Sequence, residues 1–306
     1  MIIFVSERTV WKMKDRAKGI LAVVGAYSIY GLNLVFCKEL TSGNVMSPSL
    51  LFSFRAAGAA VLFWLLSLIL PKEKVSRKDI GAIFLASMLG LFIPQMCTLW
   101  GITMSTPFDA SVISTLKPLM TLGVAAVLLK ESVPARSVIG IFVSLAGAVM
   151  LVFFRSGGVP DAFATSPLGL AVLLLNGLSF AVFLVIFRPL VRRYSAVTFM
   201  KWMFLFSLLA SLPFGLPDVS SFAIGTMSPK LWGELAFIIV CATFVAYFLT
   251  PIGQKHLHPT EYSVYSYAQL LVAGLAGVLA GLEMFTVPKL IAAAVMIAGV
   301  WISGRR

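Results

Sequence analysis

The sequence predicts an all-α integral membrane protein, with ten transmembrane helices arranged as two inverted five-helix repeats. Three observations predict it: a composition too apolar for water, ten apolar runs of membrane-spanning length, and an internal repeat at an offset of 152 residues. Of 306 residues, 59% are hydrophobic and 12% charged, against the roughly 25% charge of a soluble domain. A chain facing lipid needs charge only at its two water boundaries, so the charge here marks the loops.

Crossing about 30 Å of hydrocarbon takes about 20 apolar residues in a helix. Runs of that kind cover 19–37, 48–70, 80–103, 107–129, 135–154, 167–187, 196–215, 230–251, 261–281 and 286–303. The basic residues before the first run resemble the start of a signal peptide, but the run is too long and lacks a small-residue cleavage site. It is read as the first span. The resulting division is an N-terminal tail 1–18, a first five-helix unit 19–154, a linker 155–166, a second unit 167–303 and a short C-terminal end 304–306.

Cytoplasmic loops carry the excess of Lys and Arg. With the N-terminus inside, the inner segments hold 17 such residues, among them Lys12, Lys74, Arg136 and Arg193. The outer segments hold four, Lys38, Arg155, Lys230 and Lys289. The expectation is that both termini are cytoplasmic. The net charge of +12 is dispersed over short links, which suits lipid headgroups and argues against nucleic acid as a partner. Cys37, Cys97 and Cys241 lie in or beside apolar runs with no metal-ligand or redox spacing and read as packing thiols.

The repeat is carried by residues that generic apolarity does not align. An offset of 152 pairs Pro107 with Pro259, Asp109 with Glu261, Ser111 with Ser263, Ser114 with Ser266, Glu131 with Glu283, Gly147 with Gly299 and Gly25 with Gly177. A unit with an odd number of spans puts its second copy into the membrane from the opposite side. Inverted repeats can exchange conformations about a central site, which is the physical basis of alternating access. Some channels share this construction, so a passive channel or facilitator stands as the alternative.

The segments TPFDASVISTLKPLMTLGVAAVLLKESV and GIFVSLAGAVML, with their echoes HPTEYSVYSYAQLLVAGLAGVLAGLEMF and AAAVMIAGVWIS, resemble the drug/metabolite transporter superfamily in its EamA-type ten-helix branch. The resemblance spans residues 19 to 303. It implies a central cavity lined by the first, third, fourth, sixth, eighth and ninth helices, export or exchange of amino acids, related metabolites or drugs, and a bacterial inner membrane. One departure stands out: the stretch from Gln269 to Leu271 lacks the proline that Pro118 supplies in the first unit.

Polar residues inside spans are costly in lipid and usually face a partner or a wet cavity. Lys117 lies mid-span, directly before Pro118, whose ring and missing N–H break the helix ladder. Lys117 either attracts a substrate carboxylate or phosphate, changes protonation during the cycle, or pairs internally. Arg55 and Lys201 are rough counterparts nearer helix ends, suited to gating or to snorkelling toward headgroups. Asn33, Gln95, Trp100, Asn176, Tyr247, Tyr265 and Gln269 complete the substrate-binding candidates. At the same offset Gln95 matches Tyr247 and Lys117 matches Gln269. Each can instead bond a neighbouring helix, worth about 0.6 kcal/mol.

Gly277 and Gly281 form a GxxxG pair, read as packing within the bundle with homodimerisation as the alternative to a monomer. No HExxH, GxSxG or phosphate-binding glycine loop is present. His256 and His258 stand without further ligands. The expectation is a non-enzyme without metal or cofactor, a secondary transporter that exports small polar metabolites, with Lys117 favouring negative charge on the substrate. Import or exchange of organic anions is the other reading within transport.

Overall fold

The computed structural model describes residues 7–42, 45–71, 73–130, 134–153, 163–220, 227–257 and 267–304, with the single positions 160, 222, 225 and 265. Glu131, Arg155, His258 and Glu261 lie outside the described residues. Among the described residues the chain is helical throughout and contains no strand.

The helices are α1 (Glu7–Thr41), α2 (Pro48–Ile69), α3 (Arg77–Thr103), α4 (Pro107–Leu129), α5 (Ala135–Phe153), α6 (Pro167–Ile186), α7 (Ala196–Val219), α8 (Pro229–Thr250, continuing to His256), α9 (Ala268–Leu279) and α10 (Val287–Gly304). Eight of them, α1 to α8, are long and apolar enough to cross a membrane, and α9 and α10 are shorter apolar helices. A short helix, Arg188–Arg193, joins α6 to α7. Two boundaries differ from the sequence reading. Helix α1 begins at Glu7, inside the expected tail, because nothing in that polar stretch stops a helix. The expected span 261–281 is described as helix only from Ala268.

The helices alternate in direction, so the bundle has two ends. At the end opposite the start of α1, called here the far end, α2, α4, α6 and α8 all open on the same device. Ser47, Thr106, Ser166 and Ser228 each accept a backbone N–H through the side-chain oxygen, and each is followed by proline in the first turn. The cap satisfies an orphan donor, and the proline sits where its missing N–H costs nothing.

Large apolar side chains ring the outside of the bundle, with Leu279 89% and Ile69 83% exposed. In water that surface would drive aggregation; in lipid it is solvated, which makes the chain an integral membrane protein. Inside, Phe52, Phe63, Phe199 and Phe204 are fully buried. Hydroxyls bond across the α2–α7 and α3–α7 contacts, Ser53 to Ser211 at 3.0 Å and Ser87 to the Met203 carbonyl at 2.7 Å.

The two units repeat one another in detail. Helix α3 carries a π-helical turn at Met88–Phe92, and α8 carries one at Ile238–Val245, which is the equivalent position. The α5–α10 crossing repeats through glycine. A side chain on Gly147 would strike Ala292 and Met296, whereas one on its equivalent Gly299 would strike Gly140 and Ser144, the equivalents of those two residues. The Ser144 hydroxyl bonds the Met296 carbonyl at 3.0 Å across the crossing, joining equivalent positions.

Candidate functional site

Helix α4 is broken where Pro118 requires. The helix Pro107–Ser114 ends, Thr115 and Leu116 turn through bonds to Val112 and Ile113 three residues back, and the helix restarts at Lys117. Helix α9 starts at Ala268 after Tyr267, whose ψ of −11° nearly matches the −14° of its equivalent Thr115. The second copy therefore starts its helix at the position where the first restarts, without the proline, and the segment before Tyr267 lies outside the described residues. Gln269 of α9 donates from Nε2 to the Ser114 hydroxyl of α4 at 3.1 Å, tying the start of α9 to the break in α4.

Lys117 crosses from α4 to α6. Its stem passes over Gly177, where an added Cβ would stand 3.7 Å from Cγ, and its ammonium lies 5.7 Å from the centre of the Phe180 ring. Among the described residues no carboxylate pairs with it. Pro118 is exposed. A cavity of about 430 Å³ opens between α4, α5 and α6, lined by Leu116, Met120, Gly123, Val127, Leu145 and Leu178 among others. Its lining is apolar throughout. Leu178 and Phe180 are two residues apart and so point to opposite sides of α6, which places the ammonium away from this cavity.

Arg55 departs most from the sequence reading. Snorkelling would leave its head at the membrane surface, yet it is 3% exposed and donates from Nε to the Thr243 hydroxyl of α8 at 2.8 Å. Thr243 in turn donates to the Ile238 carbonyl five residues back at 2.8 Å, within the π turn. A π turn leaves carbonyls free of the regular ladder and is frequent at functional sites. Tyr247, one turn on, lies beside Gln95 of α3 and within electrostatic range of Arg55. Gln95 and Tyr247 occupy equivalent positions, so their contact lies where the two units meet.

Cys37 faces the same region and donates through Sγ to Asn33 Oδ1 at 3.7 Å. The structure thus gathers Arg55, Thr243, Tyr247, Gln95, Cys37 and Asn33 from α1, α2, α3 and α8. Among the described residues Arg55 meets no carboxylate, so its charge is matched only by neutral dipoles. Thr243 escaped the sequence reading because a lone threonine in an apolar run gives no signal.

The other candidates fall elsewhere. Asn176 is buried and donates its amide to the Pro94 carbonyl at 2.6 Å and to the Thr98 hydroxyl, clamping α6 to α3. Trp100 of α3 is 44% exposed and has no described partner in the cluster around Arg55. The cause is helical phase: neighbouring Leu99 is fully buried, and the next position points away. Lys201 stacks its ammonium 4.9 Å from the Trp64 ring, joining α7 to α2. Tyr265 is half-buried.

The GxxxG pair resolves into packing and a cap. Gly277 faces Glu283, and Gly281 takes a φ of 68° that suits glycine, with Leu282 N–H bonded to the Gly277 carbonyl at 2.8 Å. That is the closing pattern of a helix C-terminus.

The far end carries a second polar assembly. Lys289 binds Glu283 at 2.5 Å, faces Asp109 at 3.3 Å, and donates to the Thr106 hydroxyl and the Phe163 carbonyl, each at 3.3 Å. Thr165 donates to Asp109 at 2.7 Å, and the Phe108 N–H to Glu283 at 3.2 Å. Lys38 meanwhile caps α3 through the Ile102 and Thr103 carbonyls at 2.8 and 3.0 Å. These contacts tie the far end of α1 to that of α3, and the far end of α4 to that of α10.

The sequence profile of the EamA-like transporter family matches twice, at residues 17–153 and 167–305. The chain belongs to the EamA-like transporter family. The double match confirms the duplication within the drug/metabolite transporter superfamily. Its relatives include the uncharacterized transporter YetK of Bacillus subtilis, 22% identical over 78% of this chain and 72% of that one. An uncharacterized transporter of Archaeoglobus fulgidus is 23% identical over 93% of this chain and 98% of its own. A WAT1-related protein of Arabidopsis thaliana is 31% identical over 64% of this chain and 54% of its own. A crystal structure superposes with a TM-score of 0.60 at 19% identity, covering 94% of this chain and 96% of the other, which shows a shared fold.

Proposed function

We propose that this EamA-like transporter is a secondary carrier for small polar metabolites bearing negative charge, working by alternating access and most suited to export. The observation that carries the reading is Arg55, buried at the meeting of the two units and matched by no carboxylate among the described residues. Removing one partner of a charged hydrogen bond is expensive, and a fixed buried cation among neutral dipoles is an anion site in want of its ligand. Lys117 adds a second positive charge on the α4–α6 side.

Alternating access draws support from the paired contacts. Helix α1 packs on α8 and α9, and α6 packs on α3 and α4, which are the same pairs after exchange of the two units. Helix α2 packs on α7, and α5 on α10, each on its own counterpart. Such pairing fits ten spans in two units of opposite orientation about an axis in the membrane plane. The basic bias of the loops favours cytoplasmic termini in a bacterial inner membrane.

Counterflow in proteoliposomes tests the carrier reading. Preloading with unlabelled organic anion accelerates uptake of the labelled one if the site alternates. Flux that never saturates and ignores the trans solute assigns the chain to the channels.

A further inference from the structure

The far-end assembly around Lys289 has a counterpart in composition nearby, where α1 ends and α8 begins. Glu39 and Glu234 converge on one ammonium, that of Lys230, which lies between them. The Lys230 ammonium lies 2.6 Å from Glu39 Oε2 and 3.4 Å from Glu234 Oε1. Both assemblies hold two acids and one lysine, yet they differ in their donors. Glu283 receives two backbone N–H groups and Lys289, and Asp109 receives Thr165 and faces Lys289.

Glu234 receives no hydrogen bond at either carboxyl oxygen among the described residues, although its side chain is only 5% exposed. The 3.4 Å approach of Lys230 is an ion pair without hydrogen-bond geometry. A buried carboxylate without donors favours its neutral, protonated form.

Two acids that share one ammonium, one of them buried without a donor, are best satisfied by a single proton held between them, because two carboxylates offer only acceptors. With both acids ionised, the trio carries a net negative charge beneath the surface. With one proton it is neutral, and Glu234 becomes the donor that Glu39 accepts. We propose that Glu39 and Glu234 form a proton-binding site that holds one proton while the far ends of α1 and α8 are together, and gives it up when they part. Lys230, whose side chain is 69% exposed, connects the pair to water at the far end.

Two charged groups near this pair among the described residues are engaged elsewhere. Lys38 caps α3, and Arg55 of α2 bonds Thr243 one half-span deeper. The proton would travel as the coupling ion of the carrier, but its binding is independent of which solute is moved.

The test reads the proton directly, by infrared spectroscopy of the whole protein in lipid nanodiscs. Wild type is expected to show a deuterium-sensitive band of a protonated carboxyl at neutral pH that fades as the medium is made alkaline. Glu234→Gln and Glu39→Gln remove that band, and Asp109→Asn leaves it. Lys230→Gln, which takes away the competing charge, keeps the band to higher pH. The proposal is overturned if wild type shows no such band, or if the band survives Glu234→Gln or vanishes in Asp109→Asn. Because the wild-type spectrum is decisive alone, a variant that fails to fold does not shelter the idea. Transport without this band, or the band without transport, separates its failure from that of the carrier reading.

Discussion

The two cations of the bundle interior, Arg55 and Lys117, make an instructive pair. Lys117 sits at a broken helix beside a proline, the position that sequence alone marks as a site; its stem lies on Gly177 and its head on an aromatic ring. Arg55 sits nearer a helix end in an unremarkable apolar run, yet it is the more deeply buried and reaches the π turn of the opposite unit. The difference teaches that depth along one helix says little about depth in a bundle. What surrounds a cation is set by the helices packed against it, here α8 across 188 residues of sequence.

Several changes sharpen or break this contrast. Arg55→Gln has the largest expected effect, a fall of about 10- to 100-fold in transport efficiency for anionic solutes, from the loss of charged hydrogen bonds worth about 1.5–3 kcal/mol. Arg55→Lys recovers part of it, since a lysine restores charge without the planar fork. Thr243→Val removes the acceptor for Arg55 Nε and the donor to Ile238. It destabilises the protein by about 1–3 kcal/mol, read as a lower thermal midpoint.

Lys117→Gln has a smaller effect, about a fivefold rise in KM, or about 1 kcal/mol. An effect equal to that of Arg55→Gln would put the two cations on one footing and break the comparison. Phe180→Leu removes the aromatic face beside the ammonium and costs about 0.5–1 kcal/mol, measured as stability.

The smallest effect is expected at the end nearer the start of α1. Burial pushes the Glu73 carboxyl up, but bonds from the Ser195 hydroxyl at 2.8 Å and its N–H at 3.1 Å, with Thr198, outweigh it and hold the group below the usual carboxylate range. A depressed carboxyl stabilises above its unfolded value and loses that contribution as pH falls through the folded one. Glu73→Gln therefore costs about 0.5 kcal/mol near neutral pH and nothing in acid, as paired thermal melts would show.

Much of this architecture was legible in the sequence. Apolar runs located the helices because lipid imposes length and composition on anything that crosses it. The repeat was legible through glycines and prolines, residues whose backbone roles leave little freedom. Gly147 and Gly299 matched in sequence because each admits the opposite helix of the α5–α10 crossing.

The chemistry was less legible. A π turn has no side-chain signature, so neither Thr243 nor the bulge that positions it stood out. Trp100 and Asn176 looked alike as polar groups in spans, yet one is 44% exposed and the other is buried and spends its amide on Pro94 and Thr98. Glu39 and Glu234 sit near the ends of separate spans, and only packing of α1 on α8 brings them together. The proline missing near Gln269 misled for a simpler reason: Tyr267 takes the backbone angles of Thr115 without it.

The central claim is that a buried cation at the meeting of the two units selects what is carried. It is tested most directly by proteoliposome uptake of a panel of organic anions and their neutral amides, comparing wild type with Arg55→Gln at equal protein incorporation. The account predicts saturable uptake of an anion by wild type, lost in the variant. An anion carried equally well by both proteins, or uptake confined to neutral solutes, would contradict it.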